Sequence, residues 1–197
     1  MNTFQPLFVL ASSSPRRREL LASLGIVFTI LKPAVDESRR DGEPAETYVQ
    51  RLSAEKAAAV AGAVPSPAVI LAADTIVIDG DDILGKPEDA DEARHILKRL
   101  RGRTHRVCTA LTLHRLDHPP RHITRLTCTE VHMRDYTDAE IESYIATGDP
   151  FDNAGSYAIQ HPEFSPVDHI EGSETNVIGL PLETLQNALV EIGWTET

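Results

Sequence analysis

The apolar and polar positions of the chain mark its elements in turn. Phe8-Val9-Leu10-Ala11 is a short apolar run that stops at Ser12-Ser13-Ser14, which predicts a buried strand feeding a loop. Ser14-Pro15 supplies an N-cap and a first-turn proline, Leu20, Leu21 and Leu24 follow at helical spacing, and Gly25 marks the stop. A second helix is expected over 45–62, with Tyr48, Leu52 and several alanines on one face. Ala68 to Ala73 predict a fully apolar strand that ends at Asp74-Thr75, before Ile76-Val77-Ile78 resumes and Asp79-Gly80-Asp81-Asp82 turns. Asp89 to Leu100 is amphipathic on Ala93, Ile96, Leu97 and Leu100, and Gly102 closes it. Residues 106–115 and 121–133 predict two long strands joined through Asp117-His118-Pro119-Pro120. Asp138 is expected to cap a helix through Ile141, Tyr144 and Ile145 to Gly148, and 149–180 reads as a loop-rich stretch. Pro181 opens a last helix with Leu182, Leu185, Leu189 and Ile192 inward. Strands alternating with helices, plus one hairpin, predict a mixed α/β fold. With no repeat or long linker, residues 1–197 read as one domain.

Composition narrows the function classes. Thirty Asp and Glu against 19 Lys and Arg give a net charge of −11 in 197 residues, which argues against a nucleic-acid polymer as partner. The charge is uneven: residues 1–60 hold 8 basic and 7 acidic side chains, so a small anion is sought there first. No apolar run approaches the roughly 18–20 residues of a bilayer span, and the N-terminal charges follow rather than precede the apolar run, so neither a membrane anchor nor an export signal is expected. Cys108 and Cys128 are too few for a disulfide framework or a cysteine-rich zinc site, and a reducing cytoplasm is the expected location.

Candidate chemistry sits at a few positions. Ser12-Ser13-Ser14-Pro15-Arg16-Arg17-Arg18 lies where a strand meets a helix N-terminus, a place that favours anions. Arginines in that first turn oppose the helix dipole unless an anion occupies the site; the plain alternative is a solvated helix start. Asp74, at an expected strand end, suits a general base or metal ligand, or else a capping role. Lys56 shares the apolar face of its helix and either snorkels or points its ammonium into a cleft. Lys86 is held between Gly85 and Pro87, and Asp36-Glu37 is a carboxylate pair of the kind that serves magnesium or manganese, or simply a solvated loop. Gln160 offers an amide fork to a base edge, or only ends a strand. The eight histidines show no metal-binding spacing, and no metal role is assigned to them.

In order and spacing these segments resemble one family. Leu10-Ala11-Ser12-Ser13-Ser14-Pro15-Arg16-Arg17, Asp36-Glu37, Lys56-Ala57, Ala73-Asp74-Thr75, Gly85-Lys86-Pro87, Ala154-Gly155-Ser156-Tyr157-Ala158-Ile159-Gln160 and Asn176-Val177-Ile178-Gly179-Leu180-Pro181-Leu182 look like the Maf-type nucleoside triphosphate pyrophosphatases, over residues 8 to 190. The resemblance implies an elongated twisted sheet with flanking helices, two lobes about a central cleft, and an inosine triphosphate pyrophosphatase-like fold. It implies hydrolysis of a nucleoside triphosphate to the monophosphate and pyrophosphate with Mg²⁺ or Mn²⁺, and a homodimer. Asp74 matches the proton acceptor; Ser12, Arg16, Arg17, Lys56 and Lys86 match phosphate-handling positions; Glu37 and Asp74 match acidic positions near the metal. Arg16, Thr75 and Gln160 together are similar to the branch acting on dTTP and UTP, with modified pyrimidine nucleotides as further substrates. The sequence departs at Asn153, where that branch usually has lysine, and at His161, where glycine is common. Two alternatives stay open: the same chemistry on another base such as 7-methyl-GTP, and a nucleotide-binding regulator of septum formation with little catalysis.

Overall fold

A computed structural model describes residues 6–117 and 119–194; His118, in the expected hairpin connection, lies outside the described residues. The strands are β1 (Leu7–Leu10), β2 (Thr29–Ile30), β3 (Ala68–Asp79), β4 (Asp82–Leu84), β5 (Thr104–Arg115), β6 (Arg121–Met133) and β7 (Val167–Glu171). The helices are α1 (Pro15–Ala22), α2 (Ala45–Ala61), α3 (Ala90–Leu100), α4 (Asp138–Ala146), α5 (Glu174–Ile178) and α6 (Leu182–Glu191). The sheet runs in the order β2-β1-β3-β5-β6-β7, with β4 paired to β3. This is the mixed α/β sheet with flanking helices expected from the sequence. Among the described residues no helix is long and apolar enough to cross a membrane.

The fold divides into two units: the described parts of Met1–Asp74, Thr109–Thr127 and Gly179–Thr197, and Thr75–Cys108 with Cys128–Ile178. In the first, β1 pairs in parallel with β2 and β3, Phe8 opposite Val69 and Leu10 opposite Leu71. Strand alternation sends Phe8, Leu10, Val69 and Leu71 to one face, where Leu21 of α1 and Leu185 and Leu189 of α6 cover them and Trp194 meets Phe8 edge-on at 4.9 Å. The other face, Val9, Ala11, Ala68, Ile70 and Ala72, is covered by Ala57 and Val60 of α2. Both faces are buried, which is why these strands read as unbroken apolar runs rather than alternating ones. Beneath α2, Ser53 Oγ lies 2.8 Å from Thr112 Oγ1, which lies 2.9 Å from the half-buried Thr124 Oγ1, a line of hydroxyls that starts in the interior.

In the second unit β3 turns back into β4, with Val77 opposite Leu84. Its core joins Ala93, Ile96, Leu97 and Leu100 of α3 to Ile141, Tyr144 and Ile145 of α4, with Tyr144 stacked on Phe164 at 4.4 Å. The stretch 149–180, expected as loop-rich, holds two short 3₁₀ turns, β7 and α5. α4 begins one residue earlier than expected: Thr137 is its N-cap, in a reciprocal capping box with Glu140, and Asp138 is the first helical residue. Cys108 and Cys128 are bonded to one another across β5 and β6, which differs from the reduced pair expected from the sequence.

Candidate functional site

The sequence places Asp74 at a strand end, and the structure corrects this. β3 is one strand of 12 residues that runs straight through Asp74 and Thr75. An ionisable residue holds a mid-strand position because it is paired. Period-two alternation puts Asp74 on the face of Ile70 and Ala72, the face that α2 covers. The buried stripe of α2 is Val49, Leu52, Ser53, Lys56, Ala57 and Val60, a helical spacing that delivers Lys56 to the same face. Lys56 Nζ lies 2.6 Å from Asp74 Oδ1, and both residues are only 8% exposed. The lysine therefore does not snorkel outward; its ammonium is committed to the carboxylate.

Lys56 also meets Glu37 Oε1 at 3.0 Å, so two carboxylates from distant segments converge on one cation. The expected Asp36-Glu37 pair is split by its loop: Asp36 Oδ1 accepts from the Ser38 N–H at 2.9 Å and shapes the turn, while Glu37 faces Lys56. Tyr48, missed as a site residue in the sequence, donates its hydroxyl to the Glu37 carbonyl at 2.7 Å. Burial first, then the charges of Asp74 and Glu37, raise the Tyr48 phenol above its usual value.

Helix α1 begins at this group. Ser14 is the N-cap, Ser12 Oγ accepts from the Ser14 N–H at 3.1 Å, and no acidic residue occupies the first turn. The helix start thus keeps its positive end, with Arg16 and Arg17 on it. Arg17 donates Nε to the Gly179 carbonyl at 2.9 Å, which fixes its guanidinium and ties the opening motif to the closing one. Gly179 has φ 124°, backbone that side-chain-bearing residues rarely adopt. Burial lowers the Arg17 pKa; Asp74 and Glu37 pull it back up and Arg16 adds to the fall. The first unit thus brings Arg17, Glu37, Lys56 and Asp74 together, with Ser12 and Arg16 at the adjoining helix start.

Thr75 follows Asp74 on β3 but is assigned to the second unit, as are Lys86 and Gln160. Lys86 is exposed, with Asp152 at 4.0 Å, a pair worth little in water. Its segment is held to that of Gln160 by the Gly155 N–H, which donates to the Gly85 carbonyl at 3.0 Å. Gly155 has φ 72°, and a Cβ there would come within 3.0 Å of Val77. Ser156 follows with φ 62° and a buried hydroxyl that lacks a hydrogen-bond partner, so backbone strain is stored at the start of the segment that leads to exposed Gln160. The two departures noted in the sequence are structural here. Asn153 donates Nδ2 to the Asp149 carbonyl at 2.8 Å, and His161 Nδ1 accepts the N–H groups of Glu163 and Phe164.

A group of two carboxylates, a lysine and arginines at a helix start can bind an oxyanion, hold a hard cation on its carboxylate oxygens and take a proton from water. Comparisons with known proteins point the same way. The sequence profile of the family described as Maf-like protein matches residues 7–192. A protein of Myxococcus xanthus named dTTP/UTP pyrophosphatase is 48% identical over 98% of both chains. Proteins of the same name from Chromobacterium violaceum and Methylococcus capsulatus are 42% and 44% identical, covering 98% and 94% of this chain and 98% and 90% of their own. Among solved structures, a HAM1 protein from Coxiella burnetii superposes with TM-score 0.53 over 95% of this chain and 100% of its own at 15% identity, a likeness of fold.

Proposed function

The chain belongs to the Maf family, and on that premise we propose that it hydrolyses dTTP and UTP, together with modified pyrimidine nucleotides, to the monophosphate and pyrophosphate. The observation that carries the proposal is the convergence of Arg17, Glu37, Lys56 and Asp74, drawn from four separated segments, in one unit. Relatives at 42–48% identity carry the corresponding name.

In this reading Asp74 is the general base. Lys56 holds it through Oδ1, and the second carboxylate oxygen is assigned to the attacking water. The water oxygen bonds to the α-phosphorus as Asp74 takes its proton. The bond from that phosphorus to the bridging oxygen breaks, and pyrophosphate leaves. Negative charge grows on the nonbridging and leaving oxygens, where Arg16, Arg17 and the Ser12 hydroxyl act as donors. Gly179 fixes the Arg17 fork in advance, so little ordering remains to be done on binding. Thr75, Lys86 and Gln160 are assigned by chemistry and resemblance: Lys86 as a further phosphate contact, Thr75 and Gln160 in reading the pyrimidine, whose edge needs a donor and an acceptor as an amide supplies.

The residues also fit a divalent metal. Glu37 and Asp74 present oxygen donors to one positive centre, the preference of Mg²⁺ and Mn²⁺, and these two side chains would hold the ion. When bound, the metal supplies neutralisation of phosphate charge. Both units are taken to serve one activity, in a cytoplasmic homodimer.

Pyrophosphate release from a nucleotide panel, with and without Mg²⁺ or Mn²⁺, tests the proposal. Release from dTTP and UTP ahead of other bases supports it. Preference for 7-methyl-GTP would overturn the pyrimidine assignment, and binding without release from any nucleotide would overturn the activity.

A further inference from the structure

A second constellation lies wholly in the second unit and uses none of the residues above. β6 and β7 pair antiparallel with His132 opposite His169 and Glu130 opposite Glu171. Strand alternation returns Glu171 to the face of His169, so one cross-strand register assembles two imidazoles and a carboxylate. Helix-type spacing in the sequence could not reveal this, because the residues meet only across strands. The two rings stack at 4.0 Å, 8° from parallel.

Each ring is oriented from behind. Thr104 Oγ1 lies 2.8 Å from His132 Nδ1, and Asp168 Oδ2 lies 2.8 Å from His169 Nδ1. A carboxylate only accepts, so the His169 proton sits on Nδ1 and Nε2 is left with its lone pair. Thr104 Oγ1, as an acceptor, holds His132 in the same sense when the ion is bound. Its Nε2 is buried and makes no hydrogen bond, with Glu171 Oε1 at 3.5 Å. A buried nitrogen without a partner, facing a carboxylate, calls for a bound atom between them.

We propose that His132, His169 and Glu171 bind Zn²⁺, with Thr104 and Asp168 as outer partners that hold the imidazoles. The three ligand atoms lie within 4.8 Å of one another. Turning the exposed His169 ring out of the stack, so that both ring planes meet at the ion, brings them to the ligand separations of about 3.3 Å that a tetrahedral ion with bonds of about 2.0–2.1 Å requires. Two nitrogens and one oxygen suit zinc rather than magnesium, and a tetrahedral ion keeps its fourth position for water. The ion would tie β7, last in the strand order, to β6.

The test is titration of the tag-free, EDTA-treated full chain with ZnCl₂ in the absence of nucleotide, followed by calorimetry or a competing chromophoric chelator. One equivalent is expected to bind. His169→Ala and Glu171→Gln, both at exposed positions, should each weaken that binding by at least about tenfold while melting as the parent does. Asp168→Asn should weaken it by about 10-fold through ring orientation alone. Absence of binding in the parent chain, or affinity unchanged in His169→Ala and Glu171→Gln, would overturn the site. So would loss of the same equivalent in Asp74→Asn, which would assign the ion to the other carboxylates.

Discussion

Asp74 and Asp79 stand on the same strand, both buried and both paired with cations, but in different units and in different ways. Asp79 is saturated with guanidinium: Arg99 Nε reaches Oδ2 at 2.5 Å and Arg103 reaches Oδ1 at 3.3 Å. Arg99 also binds the Asp79 carbonyl at 3.2 Å and Asp82 at 2.8 Å, which closes the β3–β4 turn. Asp74 meets a lysine through one oxygen, and that lysine is shared with Glu37. A carboxylate gripped on both oxygens by rigid forks stabilises a turn. One held by a flexible ammonium on a single oxygen keeps lone pairs for chemistry.

Substitution should separate the two most sharply at Asp74. Asp74→Asn is expected to slow pyrophosphate release about 10³-fold, the scale of a lost general base, with a modest drop in its thermal melt, because Lys56 keeps Glu37 as a partner. Retained turnover would remove the contrast at its source. Asp79→Asn should do the reverse, lowering stability by about 2 kcal/mol because the buried carboxylate that draws Arg99 and Arg103 onto the β3–β4 turn is lost, while turnover at 25 °C stays near that of the parent. Denaturant melts read the first quantity and steady-state rates the second.

The surroundings of Asp79 also carry acid sensitivity. Burial pushes the His105 imidazole down to about 4; Asp79 pulls it up and His132 pushes it further down. The unfolded chain then binds the extra proton first. Stability from this group is complete above about pH 6.5 and falls by up to about 3 kcal/mol between there and pH 4. Urea melts of His105→Gln across that window should show a shallower slope than the parent; equal slopes would place the acid response elsewhere. The smallest effect is expected at Arg17→Lys, which removes the Nε bond to Gly179. It should raise KM for dTTP about tenfold with stability unchanged, and an unchanged KM would mean that this arginine does not meet the substrate.

Much of this was legible in the chain. Ser14-Pro15 and the Leu20, Leu21 spacing located α1, and the unbroken apolar run located β3, because caps and periodicity are local. β7 escaped because Val167-Asp168-His169-Ile170-Glu171 is half exposed and earns its pairing only from β6. The Cys108–Cys128 bond escaped for the same reason. The candidate site residues were named by motif, yet whether Lys56 snorkels or pairs depended on which sheet face α2 covers, and no single segment encodes that.

The hydroxyl line under α2 bears on that aim. Ser53 stands just under one turn before Lys56, and its contact with Thr112 sets the rotational phase of the helix against the strands. A slip of one residue along this screw would turn the ammonium by about 100° and carry it about 1.5 Å along the axis, away from Asp74. A fully buried serine thus acts as the detent that keeps the lysine pointed at its carboxylate.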